Sequence, residues 1–210
     1  MQTSFGFPVP LSERYRPQSI GDFIGLDRAK RVLTALARNP FPSAWLFIGD
    51  SGTGKTTMAL ALAAAIGAEV HHIPSAECNL ETIQSVRARC QYTPWPGFRM
   101  HMVLVDEADR MSPAAQLALL SHLDSTNFPP ATIYVFTAND SSRLEVRFLS
   151  RLRRLDFSAA EMSDTRFLLA GIWKTECPAA AAPDFDAMLS DKINVRDALM
   201  RLETEMLCAA

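Results

Sequence analysis

The chain is poor in several features that would have directed its reading elsewhere. It has four cysteines in 210 residues. No two of Cys78, Cys90, Cys177 and Cys208 stand in the CxxC spacing of a structural zinc site. Cysteines so few and scattered point to a reduced, cytoplasmic protein. Long hydrophobic runs are also missing. The longest, MALALAAAIGA at 58–68, is too short to cross a bilayer and is expected to form a buried helix. The N-terminus lacks the basic and apolar regions of a secretory signal, so no membrane association is expected. There is no large excess of charge either, with a formal net of −2. Any surface for nucleic acid must therefore be local. Repeats and low-complexity tails are absent. Glycine is scarce, at 9 residues, yet Gly49, Gly52 and Gly54 fall almost together.

What remains is ordinary globular material, 48% hydrophobic and 21% charged, with enough apolar residues for a core. Residues 1–25 are rich in proline and glycine and are expected to be extended. LDRAKRVLTALAR at 26–38 has helical periodicity, with Val32, Leu33 and Leu36 on one face. AWLFIG at 44–49 reads as a strand buried on both faces, and a helix follows it. EVHHIP is a weak strand, and SAECNLETIQSVRARC a helix with Ser75 as its expected N-cap. MHMVLVDE at 100–107 and ATIYVFTAND at 131–140 are apolar strands with polar ends. Between them, Ser112 and Pro113 open a helix. RLRRLDF is a last short strand. This alternation predicts an α/β fold with a parallel sheet between helices. After about residue 159 only helical patterns occur, around a proline-flanked alanine linker. The expected division is an α/β domain over 1–158 and a small helical domain over 159–210.

The glycine burst lies at the first strand-to-helix junction. Gly49-Asp50-Ser51-Gly52-Thr53-Gly54-Lys55-Thr56 fits the phosphate-loop pattern GxxxxGK[ST]. Glycines allow backbone N–H groups to curl around phosphate oxygens, and the helix N-terminus adds partial positive charge. Lys55 would reach the terminal phosphates of ATP, and the Thr56 hydroxyl would bind Mg²⁺. A second strand then has to bring acids. MVLVDE does so: Asp106 would complete the magnesium shell and Glu107 would activate the attacking water. Asn139, at the end of the next apolar strand, falls on the same sheet edge, where ligands of α/β proteins sit. Arg151 and Arg196 are further candidates to neutralise phosphate charge.

These motifs together resemble those of AAA+ ATPases, and among them the clamp-loader small subunits, the replication factor C and DNA polymerase III γ/τ group. SERYRPQSIGDFIG at 12–25 is similar to that family's adenine-side box, GDSGTGKTT to its Walker A motif and VLVDEAD to its Walker B motif. TAND resembles sensor 1, Ser150-Arg151-Leu152 the arginine-finger motif, and NVRDALMRLE the sensor 2 helix. The resemblance implies a P-loop AAA+ domain with a five-stranded parallel sheet and a C-terminal helical lid. It implies that Tyr15, Arg16, Pro17, Ile24 and Gly25 flank the adenine, with Thr57 in the phosphate loop. It implies that Arg151 acts in trans on a neighbouring subunit's ATP, and that Arg196 acts in cis from the lid. Implied partners are other AAA+ subunits, DNA without sequence preference, and a sliding clamp or helicase.

Some residues depart from the family pattern. Asp50 replaces the usual proline, Arg147 is a rival finger, and Ile193-Asn194 replaces a Gly-Asp pair. The sequence stops where the lid should end, so the family's collar domain is not expected. An ATP-gated adaptor of helicase-loader type is the alternative reading. VDEAD also invites a helicase reading, but the length cannot hold the second motor domain such enzymes need. Arg87, Arg89 and Arg99 around QYTPWPGF at 91–98 are the candidate DNA-facing patch.

Overall fold

The structure is a computed structural model and describes residues 9–124, 126–189 and 194–209. The expected extended start at residues 1–8 and positions 191–193 of the last expected helix, which include one residue of the altered pair, lie outside them.

Five strands form one parallel sheet in the order β2-β3-β4-β1-β5. They are β1 (Ser43–Ile48), β2 (Ala68–Pro74), β3 (Met100–Asp106), β4 (Thr132–Ala138) and β5 (Arg153–Asp156). The central three strands are near-continuous apolar runs because both faces are covered. Successive side chains alternate between the faces. Phe47, Met102, Leu104 and Val135 pack under α2 (Asp27–Arg38) and α3 (Lys55–Ile66). Leu46, Val103, Val105 and Phe136 pack under α4 (Leu80–Cys90) and α5 (Pro113–His122). The short α6 (Val146–Leu149) precedes β5.

Two local expectations change. The helix after β2 is capped by Asn79, whose side chain accepts from the Thr82 N–H; Ser75 instead opens a separate 3₁₀ turn. Asn79 takes over because Pro74 holds extended backbone and the turn ends at Cys78, leaving Asn79 ahead of the first regular turn. The described part of the expected extended segment, residues 9–25, is also not simply extended. It forms α1 (Leu11–Arg14) and a 3₁₀ turn at Ile20–Asp22.

The C-terminal helices are α7 (Met162–Glu176), α8 (Phe185–Met188) and α9 (Val195–Ala209). They enclose their own apolar cluster of Leu169, Ile172, Trp173, Leu199 and Leu202. Leu11, from the other end of the chain, completes that cluster and is fully buried. The Leu11 N–H donates to Glu203 at 3.0 Å, and the Tyr15 hydroxyl donates to Glu176 at 2.7 Å. The segment before the sheet is thereby pinned to the helices after it.

Candidate nucleotide-binding site

The phosphate loop leaves β1 at Gly49 and enters α3 at Lys55. Its backbone requires glycine at particular points. A Cβ on Gly49 would lie 1.9 Å from the Phe157 carbonyl oxygen. Gly52 has φ +77, and a Cβ there would lie 2.4 Å from the Asn194 side chain. The helix after the loop has no acid in its first turn, which leaves its N-terminus positive.

Lys55 is held inside this loop. Its ammonium donates to the carbonyls of Gly49 at 2.6 Å and Asp50 at 2.8 Å, and to Asn139 Oδ1 at 2.9 Å. Burial lowers its pKa, and the carboxylates of Asp109, Asp50 and Asp106 act against that. Asn139 at the end of β4 therefore meets the loop lysine directly. Its own N–H donates to Asp109 at 3.3 Å.

Thr56 and Asp106 also meet, with the hydroxyl donating to Oδ1 at 2.7 Å. Two residues not singled out from the sequence complete this group. The Thr137 hydroxyl donates to the same oxygen at 2.7 Å and accepts the Glu107 N–H at 3.1 Å. His72 Nε2 lies 3.0 Å from Asp106 Oδ2. Thr137 stands in FTAND, two residues before Asn139, so the end of the strand was the available signal. His72 gave none, because only the β2–β3 pairing brings it near Asp106. Glu107 has a left-handed backbone, φ 52 and ψ 47, and pairs with Arg110 at 3.1 Å.

A cleft runs along the loop. Ser51, Lys55, Thr56, Asp106, Glu107 and Asn139 line one end. Tyr15, Arg16, Pro17, Ile24, Leu168 and Leu199 are among those lining the other. Gly52, Gly54, Thr57 and Arg196 border both, and Thr53 borders the second. The Thr57 hydroxyl accepts from Arg16 Nε at 3.3 Å. Three candidates stand back from the opening. Gly49 packs on Phe157, Asp50 contributes its carbonyl to Lys55, and Gly25 turns the chain at φ +59 beside Ala160. Asn194, unpredicted in this position, caps α9 by accepting the Asp197 N–H at 2.9 Å while covering Gly52.

Arg151 lies elsewhere. It follows α6, donates to the Arg147 carbonyl at 3.0 Å, and lies 3.9 Å from Asp124. Neither end of the cleft includes Arg151 or Arg147.

A parallel α/β sheet whose first strand feeds a glycine loop, lysine and threonine, opposite an aspartate on a neighbouring strand, defines a P-loop nucleotide-binding protein. Residues 45–159 match the ATPase family associated with various cellular activities (AAA). That is more than half of the chain, and the protein belongs to this family. Among its curated relatives, replication factor C small subunit 1 of Pyrobaculum arsenaticum is 32% identical over 171 residues, 78% of this chain and 51% of that protein. Replication factor C subunit 2 of Arabidopsis thaliana is 31% identical over 79% of this chain and 51% of its own length. DNA polymerase III subunit gamma/tau of Mycoplasma pneumoniae is 25% identical over 70% of this chain and 25% of its own. These are the two groups that the motifs resemble. The chain spans between a quarter and about half the length of these relatives. A mutant RuvB of Thermotoga maritima shares the fold, with TM-score 0.75 and 18% identity over 93% of this chain and 67% of that one. Among the described residues, no helix is long and apolar enough to cross a membrane.

Proposed function

We propose that this chain binds and hydrolyses ATP as a clamp-loader-like AAA+ subunit, with residues 1–158 as the nucleotide-binding domain and 159–210 as its lid. The observation that carries this is the direct meeting of Lys55, Thr56, Asp106 and Asn139 at one cleft end. The tight loop backbone and hydroxyl–carboxylate donor set fit ATP with Mg²⁺. Lys55 and the loop N–H groups would hold the phosphates, while Tyr15, Arg16, Pro17 and Ile24 would enclose the adenine. Thr56 and Asp106 would hold Mg²⁺, which supplies charge neutralisation on the phosphate oxygens when bound.

Glu107 is the proposed base for the attacking water, with Asn139 orienting it. The Glu107–Arg110 pair is exposed and is worth about 0–1 kcal/mol, so the carboxylate is readily released to turn toward the cleft. Arg196 borders both cleft ends and would act in cis. Arg151, outside the cleft, would act in trans in an assembly of AAA+ subunits. The names of the relatives support a role at DNA in replication, with a sliding clamp or another ring as client.

The basic patch is narrower than its sequence suggested. Arg89 is committed to Glu69 at 2.8 Å and to the Thr93 carbonyl at 2.9 Å. Tyr92 and Trp95 beside it are 72% and 64% exposed, which favours a contact surface for a macromolecule.

The test is turnover of Mg·ATP together with nucleotide binding in Glu107→Gln. Binding should persist while turnover falls about 10²-fold or more, the scale of a lost general base. Unchanged turnover would remove Glu107 from the chemistry. Adding primed DNA and a sliding clamp should raise the wild-type rate; a rate indifferent to both would refute the clamp-loader reading.

A further inference from the structure

At the outer edge of the sheet, away from the phosphate loop, three donor groups converge beside a carboxylate. Glu69 and His71 are two apart on β2 and so share a face. The parallel register sets His101 of β3 beside Glu69. Cys90, the last residue of α4, lies over the same face. His71 Nε2 is 3.0 Å from His101 Nδ1. One ring nitrogen of each histidine and Cys90 Sγ all lie within 4.8 Å of one another. The Glu69 carboxylate approaches both rings, with Oε1 3.9 Å from His71 Nε2 and Oε2 3.6 Å from His101 Nδ1.

The surroundings orient this set. His101 is fully buried, and its Nε2 lies 2.9 Å from the Tyr92 carbonyl. A carbonyl can only accept, so Nε2 carries the proton and Nδ1 turns a lone pair toward His71. A ligand histidine is ordinarily fixed by this kind of outer hydrogen bond. Glu69 Oε2 receives Arg89 at 2.8 Å and the Trp95 N–H at 2.9 Å, which orients the carboxylate and leaves Oε1 facing His71. With bonds of roughly 2.0–2.3 Å, tetrahedral ligand atoms sit roughly 3.3–3.8 Å apart. The His71–His101 separation of 3.0 Å lies just under that range and Cys90 completes a set of three within 4.8 Å, while Glu69 stands outside that set at 3.6–3.9 Å from the rings and would swing Oε1 inward to become the fourth ligand.

We propose that Glu69, His71, Cys90 and His101 form a tetrahedral site for a divalent ion of the zinc class. Two imidazoles, a thiolate and a carboxylate select this class over Mg²⁺ or Ca²⁺, which take oxygen ligands. Entry of the ion releases the Cys90 thiol proton to solvent. It also transfers the His71 proton from Nε2 to Nδ1, freeing the nitrogen that now donates to His101. Burial pushes the Cys90 thiol up to about 11, so it is protonated until an ion displaces that proton. The site would tie edge strand β2 to the end of α4 and hold the loop that presents Tyr92 and Trp95.

The full chain, stripped with a chelator, is titrated with Zn²⁺ against a chromophoric competitor and, separately, with Co²⁺. One ion per chain, visible bands of tetrahedral cobalt and a thiolate-to-cobalt charge-transfer band are expected. Cys90→Ser should abolish the charge-transfer band, and His101→Gln should weaken Zn²⁺ binding by more than the roughly 10–100-fold that loss of an outer hydrogen-bond partner costs, because it removes a ligand. Circular dichroism checks that each variant is folded. If a variant unfolds, the wild-type cobalt spectrum decides alone. A folded wild-type chain without the charge-transfer band, or Zn²⁺ binding unchanged in both folded variants, overturns the site.

Discussion

The phosphate end of the cleft and the arginine segment around Arg151 are both polar and close in sequence to the same sheet, yet they are built in opposite ways. At the phosphate end Lys55 and Asp106 already have partners within the chain. Lys55 contacts three oxygens, and Asp106 contacts two hydroxyls and a histidine. In the segment 147–154, arginines lie on the surface, and among the described residues Arg151 answers a backbone carbonyl and a distant carboxylate. On the proposed reading, binding would be encoded within one subunit, whereas the last positive charge for catalysis would be displayed outward for another.

The largest expected effect breaks or upholds that division directly. Arg151→Ala should lower turnover by about 10³-fold or more, the scale of a trans arginine, with nucleotide affinity unchanged. Mixing it with Lys55→Ala protein should restore part of the rate, because hybrid interfaces pair an intact loop with an intact finger. Equal loss with no recovery on mixing would place Arg151 outside any shared site, and the same pair of measurements on Arg147→Ala distinguishes the rival.

A smaller effect sharpens the contrast in rigidity. Gly49→Ala drives a Cβ to 1.9 Å from the Phe157 carbonyl, and should cost about 3 kcal/mol of stability, at the upper end of overpacking penalties. Urea unfolding should show this loss for Gly49→Ala and a change below about 0.5 kcal/mol for Arg151→Ala, as for ordinary surface sites. Comparable losses in the two variants would erase the contrast.

The smallest effect separates folding from chemistry. His122 on α5 is buried, and among the described residues its Nδ1 has no hydrogen-bond partner. Burial, then the charge of Arg87, lowers its pKa below the ordinary 6.5. The unfolded chain therefore takes up this proton first. The stability contribution is complete above about pH 6.5 and is lost as pH falls below it, by up to about 1.4 kcal/mol per pH unit. The thermal midpoint should fall between pH 7.5 and 5.5, and less so in His122→Leu. Parallel slopes in the two proteins would remove His122 as the cause.

Legibility from sequence followed locality. The phosphate loop is one contiguous string flanked by a strand and a helix, and Asp106 and Asn139 each end an apolar run, so their convergence followed from strand order. His72 became visible only through pairing between strands, whereas for Thr137 the strand end itself carried a signal. Asn194 over Gly52 depends on how α9 meets the loop, which no spacing states. The donors at 69, 71, 90 and 101 were illegible for the same reason: CxxC spacing detects ligands that are neighbours in sequence, and these become neighbours through sheet register. Ser75 is the expected cap, and Asn79 holds that place because a 3₁₀ turn intervenes between them.

Glu107 holds a conformation that a residue with a side-chain Cβ disfavours by about 1–2 kcal/mol. Glycine or asparagine would occupy φ 52 and ψ 47 more easily. With Glu107 as the proposed base, the position would set activity against durability. A lineage released from the need to split ATP would gain stability by exchanging this glutamate, and would keep an intact nucleotide cleft while doing so. Silent subunits of this kind should thus be recognisable by a small residue here beside an unaltered lysine loop.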